Sequence, residues 1–207
     1  MRPSGRLLLV LLALAAAVAG LWFFWPAPQP ASVAPPASQA RPGDPLAGIS
    51  GLQITYYDVS GQSVREIREA LNRVRPRDPN DGQPVDALAH WRIDWRWPTG
   101  PSGGCDLSRV RVTFRADILM PRLAPGAATP APVAARWRAY AAALERHEAG
   151  HVRAAYDQVN AVRAAVRTSD CANANRAAGA VLDAAQRGDI AYDRETRHGA
   201  TQGARFE

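Results

Sequence analysis

From Trp137 to Val166 the apolar residues Trp137, Tyr140, Leu144, Val152, Ala155, Val159, Val162 and Val166 recur mostly at three- and four-residue steps. That spacing lines one face of an α-helix. It predicts a long helix from about Val133 to about Thr168, with Ser169 and Asp170 ending it and capping the next segment. Upstream the period changes to two. Leu52, Ile54 and Tyr56 alternate with Gln53, Thr55 and Tyr57, the pattern of a half-buried strand. Ser63 and Glu66 form a capping box ahead of Val64, Ile67, Leu71 and Val74, so a helix starts there and Pro76 stops it. Two clearer strands follow. Trp91, Ile93, Trp95 and Trp97 alternate with Arg92, Asp94 and Arg96; Val110, Val112, Phe114, Ala116 and Ile118 alternate with Arg and Asp positions. Each has one apolar and one charged face, as in an antiparallel sheet covered on one side, with the tryptophan row as sheet core.

The chain's end reads as helix again. Residues 173 to 187 are helical in pattern, and Gly188 followed by Asp189 reads as a stop and a new N-cap. A short last helix is predicted over 190–198, with Gly199 as terminator and a loose ending over 200–207. The expected fold class is α+β: a small antiparallel sheet packed on the long helix and C-terminal helices.

The N-terminus stands apart. Arg2 and Arg6 precede an apolar run from Leu7 to Trp25, whose nineteen residues span about 28 Å as a helix, close to the hydrocarbon thickness. Residues 1–25 are thus expected to be a membrane anchor, or a signal segment cleaved near Ala17-Val18-Ala19. Residues 26–48 form a Pro/Ala-rich linker, and 49–207 a single domain. Either N-terminal reading exports the domain to the cell envelope: anchored in the inner membrane and facing the periplasm or exterior, or secreted.

All 25 basic residues are Arg, for a net charge of +6. Arg binds phosphate well, yet these residues are scattered among Asp and Glu with no basic run, so no nucleic-acid partner is expected. Cys105 and Cys171 make no Cys-x-x-Cys pair. In an oxidising compartment they most simply form one disulfide, worth roughly 4 kcal/mol of loop entropy; the other reading is two unrelated buried thiols.

The chemistry concentrates in His147-Glu148-Ala149-Gly150-His151. In a helix, residues four apart share a face, so both imidazoles point at one spot where they can bind Zn²⁺. Glu148 sits beside them, placed to take a proton from a metal-bound water. These three fall within or beside the apolar stripe rather than opposite it. A catalytic zinc takes a third protein ligand. Asp157 has the spacing of one but lies in an uninterrupted helical pattern that rotates it away. His198 is the favoured choice, brought back by a break at Gly188, with Asp193 and Glu195 as alternatives. A straight hairpin folded near Ser169 would instead set Asp189 or Asp193 opposite the motif and carry His198 past it. His90, at a strand start, reads as structural.

The Tyr56-Tyr57-Asp58-Val59 strand, the Trp91 to Trp97 strand, Cys105, His147-Glu148-Ala149-Gly150-His151 and the Tyr192 to Gly203 stretch together resemble the bacterial DUF922 proteins, over about residues 50 to 204. That family is described as predicted secreted zinc-dependent proteases. The resemblance implies a zincin-like fold and an endopeptidase of the cell envelope, acting on a peptide or protein substrate. The residues' own spacing gives the roles: His147, His151 and His198 are expected to hold Zn²⁺ with Glu148 as the catalytic base, and Tyr192 or Arg197, near His198 in the sequence, to steady the oxyanion. The rival readings are a non-catalytic envelope binding protein with the same fold, and a metal-dependent cell-wall hydrolase.

Overall fold

Residues 44–207 are described by the structure, a computed structural model. The first strand, β1, runs Leu52–Val59. Its buried side switches along its length: Leu52 and Ile54 are half-buried, then Tyr57 and Val59 turn inward while Tyr56 is 51% exposed. The switch arises because helix α1, Val64–Val74, packs against β1 and gives the sheet a second covered face at that end. Ser63 caps α1 by accepting from the Glu66 N–H at 3.2 Å. The return arm of the box reaches one residue further back, with the Gln62 N–H donating to the Glu66 carboxylate at 2.9 Å.

Strands β2, Leu88–Arg96, and β3, Arg111–Leu123, pair antiparallel from Leu88↔Leu119 to Arg96↔Arg111. β1 pairs with β3 in parallel, and the order is β1-β3-β2. The sheet is therefore mixed, not antiparallel as expected. Alternation reports which face of a strand is buried and is blind to its direction. The chain leaves β1 through α1 and enters β2 at the far edge; β3 then fills the gap and runs back along β2, parallel to β1. β3 also continues through Pro121, beyond the Val110 to Ile118 alternation that marks it in the sequence. At that point β3 has run past the end of β2 and pairs only with β1, so the N–H that proline lacks serves no ladder.

Helix α2, Ala131–Arg167, crosses the sheet with Trp137, Tyr140, Leu144, Val152, Ala155, Val162 and Val166 buried, and Val159 half-buried. Trp91 and Trp95 pack into this core, and the Trp95 Nε1–H donates to Asn175 at 2.9 Å. The tail is not loose. Phe206 is 2% exposed, its ring centroid 5.3 Å from those of both Trp137 and Tyr140.

Helix α3 is one piece, Ala174–Thr196, and runs through Gly188 without a break. A helical Gly costs only about 1 kcal/mol relative to Ala, and α3 packs along α2 despite carrying both Gly179 and Gly188. The α2–α3 turn is held twice. Asp170 accepts from the N–H groups of Ala172 and Asn173 at 2.9 and 3.0 Å, and Cys171 is disulfide-bonded to Cys105 in the β2–β3 connection.

A half-buried polar knot fixes the approach to β2. Asp86 receives both Nη groups of Arg68, at 2.7 and 2.5 Å, and the Tyr140 hydroxyl at 2.9 Å. The Tyr57 hydroxyl donates to its carbonyl at 2.6 Å. Burial, then the Asp86 charge, push both phenols well above their usual range. The knot ties β1, α1 and α2 to the loop that feeds β2.

The expected membrane partner is overturned. Among the described residues no helix is long and apolar enough to cross a membrane. α2 has the length, but Arg, Glu and His recur along it. The apolar run before residue 26 and the linker up to residue 43 lie outside the described residues.

Gly188 is exposed on the continuous helix, and a Cβ there would meet nothing within 4 Å. Gly188→Ala is expected to raise stability by up to about 1 kcal/mol in urea unfolding. A loss of stability would mean that the helix bends there.

Candidate metal centre

His147, Glu148 and His151 are all buried, at 2%, 4% and 6% exposure. The α2–α3 hairpin decides what they meet. His151 and Asp189 each lie nineteen residues from Asp170, and His147 and Asp193 each twenty-three. Folding two antiparallel helices about that residue sets the four side chains face to face. His151 Nδ1 lies 2.7 Å from Asp189 Oδ1. The Nε2 atoms of His147 and His151 both lie 3.1 Å from Asp193 Oδ1, and 3.3 Å from each other.

Both Nδ1 atoms are engaged elsewhere, His151 with Asp189 and His147 with the Gln202 carbonyl oxygen at 3.0 Å. These partners hold a proton on each Nδ1, so a cation that displaces the proton from Nε2 meets its lone pair, the usual arrangement behind a metal ligand. Three donors therefore converge: two imidazole nitrogens and one carboxylate oxygen, separated by 3.1 to 3.3 Å. A tetrahedron with bonds of about 2.0–2.1 Å has edges of about 3.3–3.4 Å, so the set is spaced as the ligands of a small divalent cation are. The pocket in front of the donors has about 50 Å³, room for a cation and a water.

The third group is Asp193, where the sequence favours His198. With α3 unbroken, Asp193 reaches the two imidazoles from within the helix, and His198 lies beyond its end. Arg197, His198 and Gly199 all take left-handed backbone, at φ 51°, 51° and 76°. A Cβ on Gly199 would sit 2.8 Å from the His147 ring, so only glycine allows this turn against the imidazole. The turn puts His198 on the rim: its Nδ1 is 3.4 Å from the shared Asp193 oxygen and its Nε2 is 3.1 Å from Asp81. Asp78, Asp81 and His198 form a second group of converging donors. Asp157 and Glu195 are exposed and join neither group; His90 is exposed on β2.

Glu148 lines the same pocket as the three donors. Burial pushes its carboxyl up to about 7, against the pull of the two histidines and a backbone contact from Ala89 on β2. Burial also works against a charged His151, but the hydrogen bonds it donates to Asp189 and Asp193 outweigh it and push the imidazole up to about 10. Asp193 is held well below the usual carboxylate range: burial opposes this, and hydrogen bonds from His147 and His151 prevail.

Tyr192 and Arg197 do not line this pocket. Tyr192 stacks on His147, 5.0 Å between centroids at 16°, and its hydroxyl pairs with Gln202. A Cβ at Gly150 would lie 2.6 Å from that hydroxyl, which explains the glycine inside the motif. Gln202 has no signal in the sequence. Asp189 and Asp193 do have one: their four-residue spacing mirrors His147 and His151, provided that α3 is read as continuous.

Residues 54–199 match the family described as bacterial protein of unknown function (DUF922). The chain belongs to the DUF922 family. No curated protein and no solved structure matches it significantly. Within this DUF922 chain the matched region begins in β1 and ends at Gly199, the glycine packed on His147.

Two outcomes are expected. Calorimetric titration of the chelated chain with Zn²⁺ should show one tight site. Asp193→Ala should weaken it by at least about 100-fold, and His198→Ala by less than about tenfold; the reverse order would restore His198 as ligand. The second concerns pH. The folded pKa of His151, about 10, lies above its ordinary 6.5. Its contribution to stability is complete below pH 6.5 and is lost as pH rises through 10. The chelated chain should thus lose melting temperature over that interval, and Zn²⁺ should suppress the loss by taking the proton's place.

Proposed function

We propose that this DUF922 chain is a zincin-like, zinc-dependent endopeptidase, with residues 49–207 as its working domain in an oxidising, exported compartment. The observation that carries the reading is the convergence of His147, His151 and Asp193 on one point, with the buried Glu148 facing the same small pocket. A zinc ion held there would supply Lewis acidity, polarising a peptide carbonyl and acidifying a water. Glu148, near neutrality because it is buried, has the proton affinity suited to taking the proton of that water and passing it to the leaving amine. Asp189 and Gln202 keep the imidazoles oriented through their Nδ1 atoms.

A peptide substrate is favoured by β2. Its first residues, Leu88 and Ala89, line the pocket beside Glu148. β2 is an edge strand, so the backbone groups on its outer side pair with no other strand among the described residues. An extended peptide can add to such an edge and lay its scissile bond against the pocket. The disulfide supports the exported compartment, since such bonds persist where thiols are not kept reduced.

Glu148→Gln should keep one zinc per chain yet lower cleavage of an unbiased peptide library by about 10²–10⁴-fold. Zinc binding without turnover on peptides by the unaltered chain would sink the peptidase. Turnover confined to cell-wall fragments would redirect it to another hydrolase.

A further inference from the structure

The metal pocket adjoins a groove of about 920 Å³, the two sharing Val85, Asp86, Leu144 and His198 as lining. Arg65, Arg68, Arg75, Arg136, Arg197 and Arg205 line this groove, against the carboxylates of Asp86 and Glu207. Neutralisation is incomplete. Arg205 pairs with Glu207 at 2.6 Å, and Arg65 with Glu69 at 3.1 Å. Asp86 alone serves both Arg68 and Arg75, at 2.5 and 3.5 Å, and each of these leaves a buried Nε–H without a partner. Among the described residues Arg136 and Arg197, both exposed, form no ion pair with an acidic side chain. The groove thus carries a marked positive excess next to the candidate centre.

We propose that this groove seats an acidic stretch of polypeptide and selects substrates with carboxylate side chains flanking the bond offered to His147, His151 and Asp193. The proposal rests on the peptidase reading for the fate of the bound chain, not for the binding itself. Charge complementarity identifies the ligand: guanidinium forks match carboxylates two bonds at a time, and Arg holds its charge at every relevant pH. The rest of the lining points to a polypeptide. Val64, Pro84, Ala200 and Ala204 line the same groove as the guanidinium groups, over the buried Leu144 and Phe206, so the surface suits a chain that mixes acidic with apolar side chains. A uniform phosphate polymer makes no use of such a lining.

The test uses the full-length Glu148→Gln chain, which leaves the probe intact, and fluorescence anisotropy of a labelled decapeptide of alternating Glu and Leu. Its counterpart carries Gln in place of Glu. At low ionic strength the acidic peptide should bind at least about tenfold more tightly. Arg136→Gln, on an exposed helical position, and Arg197→Gln should each weaken it by about three- to tenfold. Arg111→Gln, on the open face of the sheet, should leave it unchanged. Equal affinity for the two peptides, or an equal loss with Arg111→Gln, overturns the proposal. So does tighter binding of polyphosphate or phosphatidylglycerol vesicles that is lost in the same groove variants, which would assign the groove to an anionic polymer or lipid. Acidic-peptide binding with no peptide ever cut by the unaltered chain keeps the groove and removes the peptidase. Cleavage of neutral and acidic peptides alike does the opposite.

Discussion

The register of the α2–α3 hairpin is the constraint on which the rest depends. A residue's partner across two antiparallel helices is set by where the chain turns, and one inserted residue in that turn would rotate every pairing by about 100°. Here the turn centres on Asp170, capped by its own carboxylate and tied to the β2–β3 connection by Cys105–Cys171. Holding the turn holds Asp189 against His151 and Asp193 between both imidazoles, some five helical turns away. The disulfide thus acts on the site without touching it.

That register also answers how so many polar groups can be buried together. An unpaired imidazole or carboxylate inside a core is costly to desolvate. At this centre every imidazole nitrogen of His147 and His151 has a partner, and the Asp193 oxygen is shared between the two rings. Glu148 differs: despite the motif histidines beside it and a backbone contact from Ala89, burial shifts it upward. A group left in that condition is the one suited to exchanging a proton, whereas the satisfied groups around it suit holding a cation in place.

The sheet contributes an edge and a wall. α1 and the Asp86 knot fix the loop before β2, so Val85 to Ala89 form one side of the pocket and the rim shared with the arginine groove. The buried Phe206 anchors the C-terminal tail against Trp137 and Tyr140, which places Arg205 and Glu207 along the same groove. Segments from opposite ends of the domain thereby meet at one surface.

Much of this was legible in the residues themselves. Period-two and three-to-four spacings located the strands and α2, Ser63 and Glu66 located the start of α1, and His147, Glu148 and His151 announced the centre, because each signal is local and carried by neighbouring side chains. Strand direction, the passage of α3 through Gly188, and the choice of Asp193 over His198 beside the imidazoles were not legible. Each depends on a comparison between distant segments: which strand fills the gap between β1 and β2, whether packing along α2 outweighs the propensity of one glycine, and how far the chain travels before it turns. Local sequence determined which chemistry the chain carries; only the tertiary register decided which carboxylate meets it, because the energy that sets that register is spread over the whole helix–helix and helix–sheet contact.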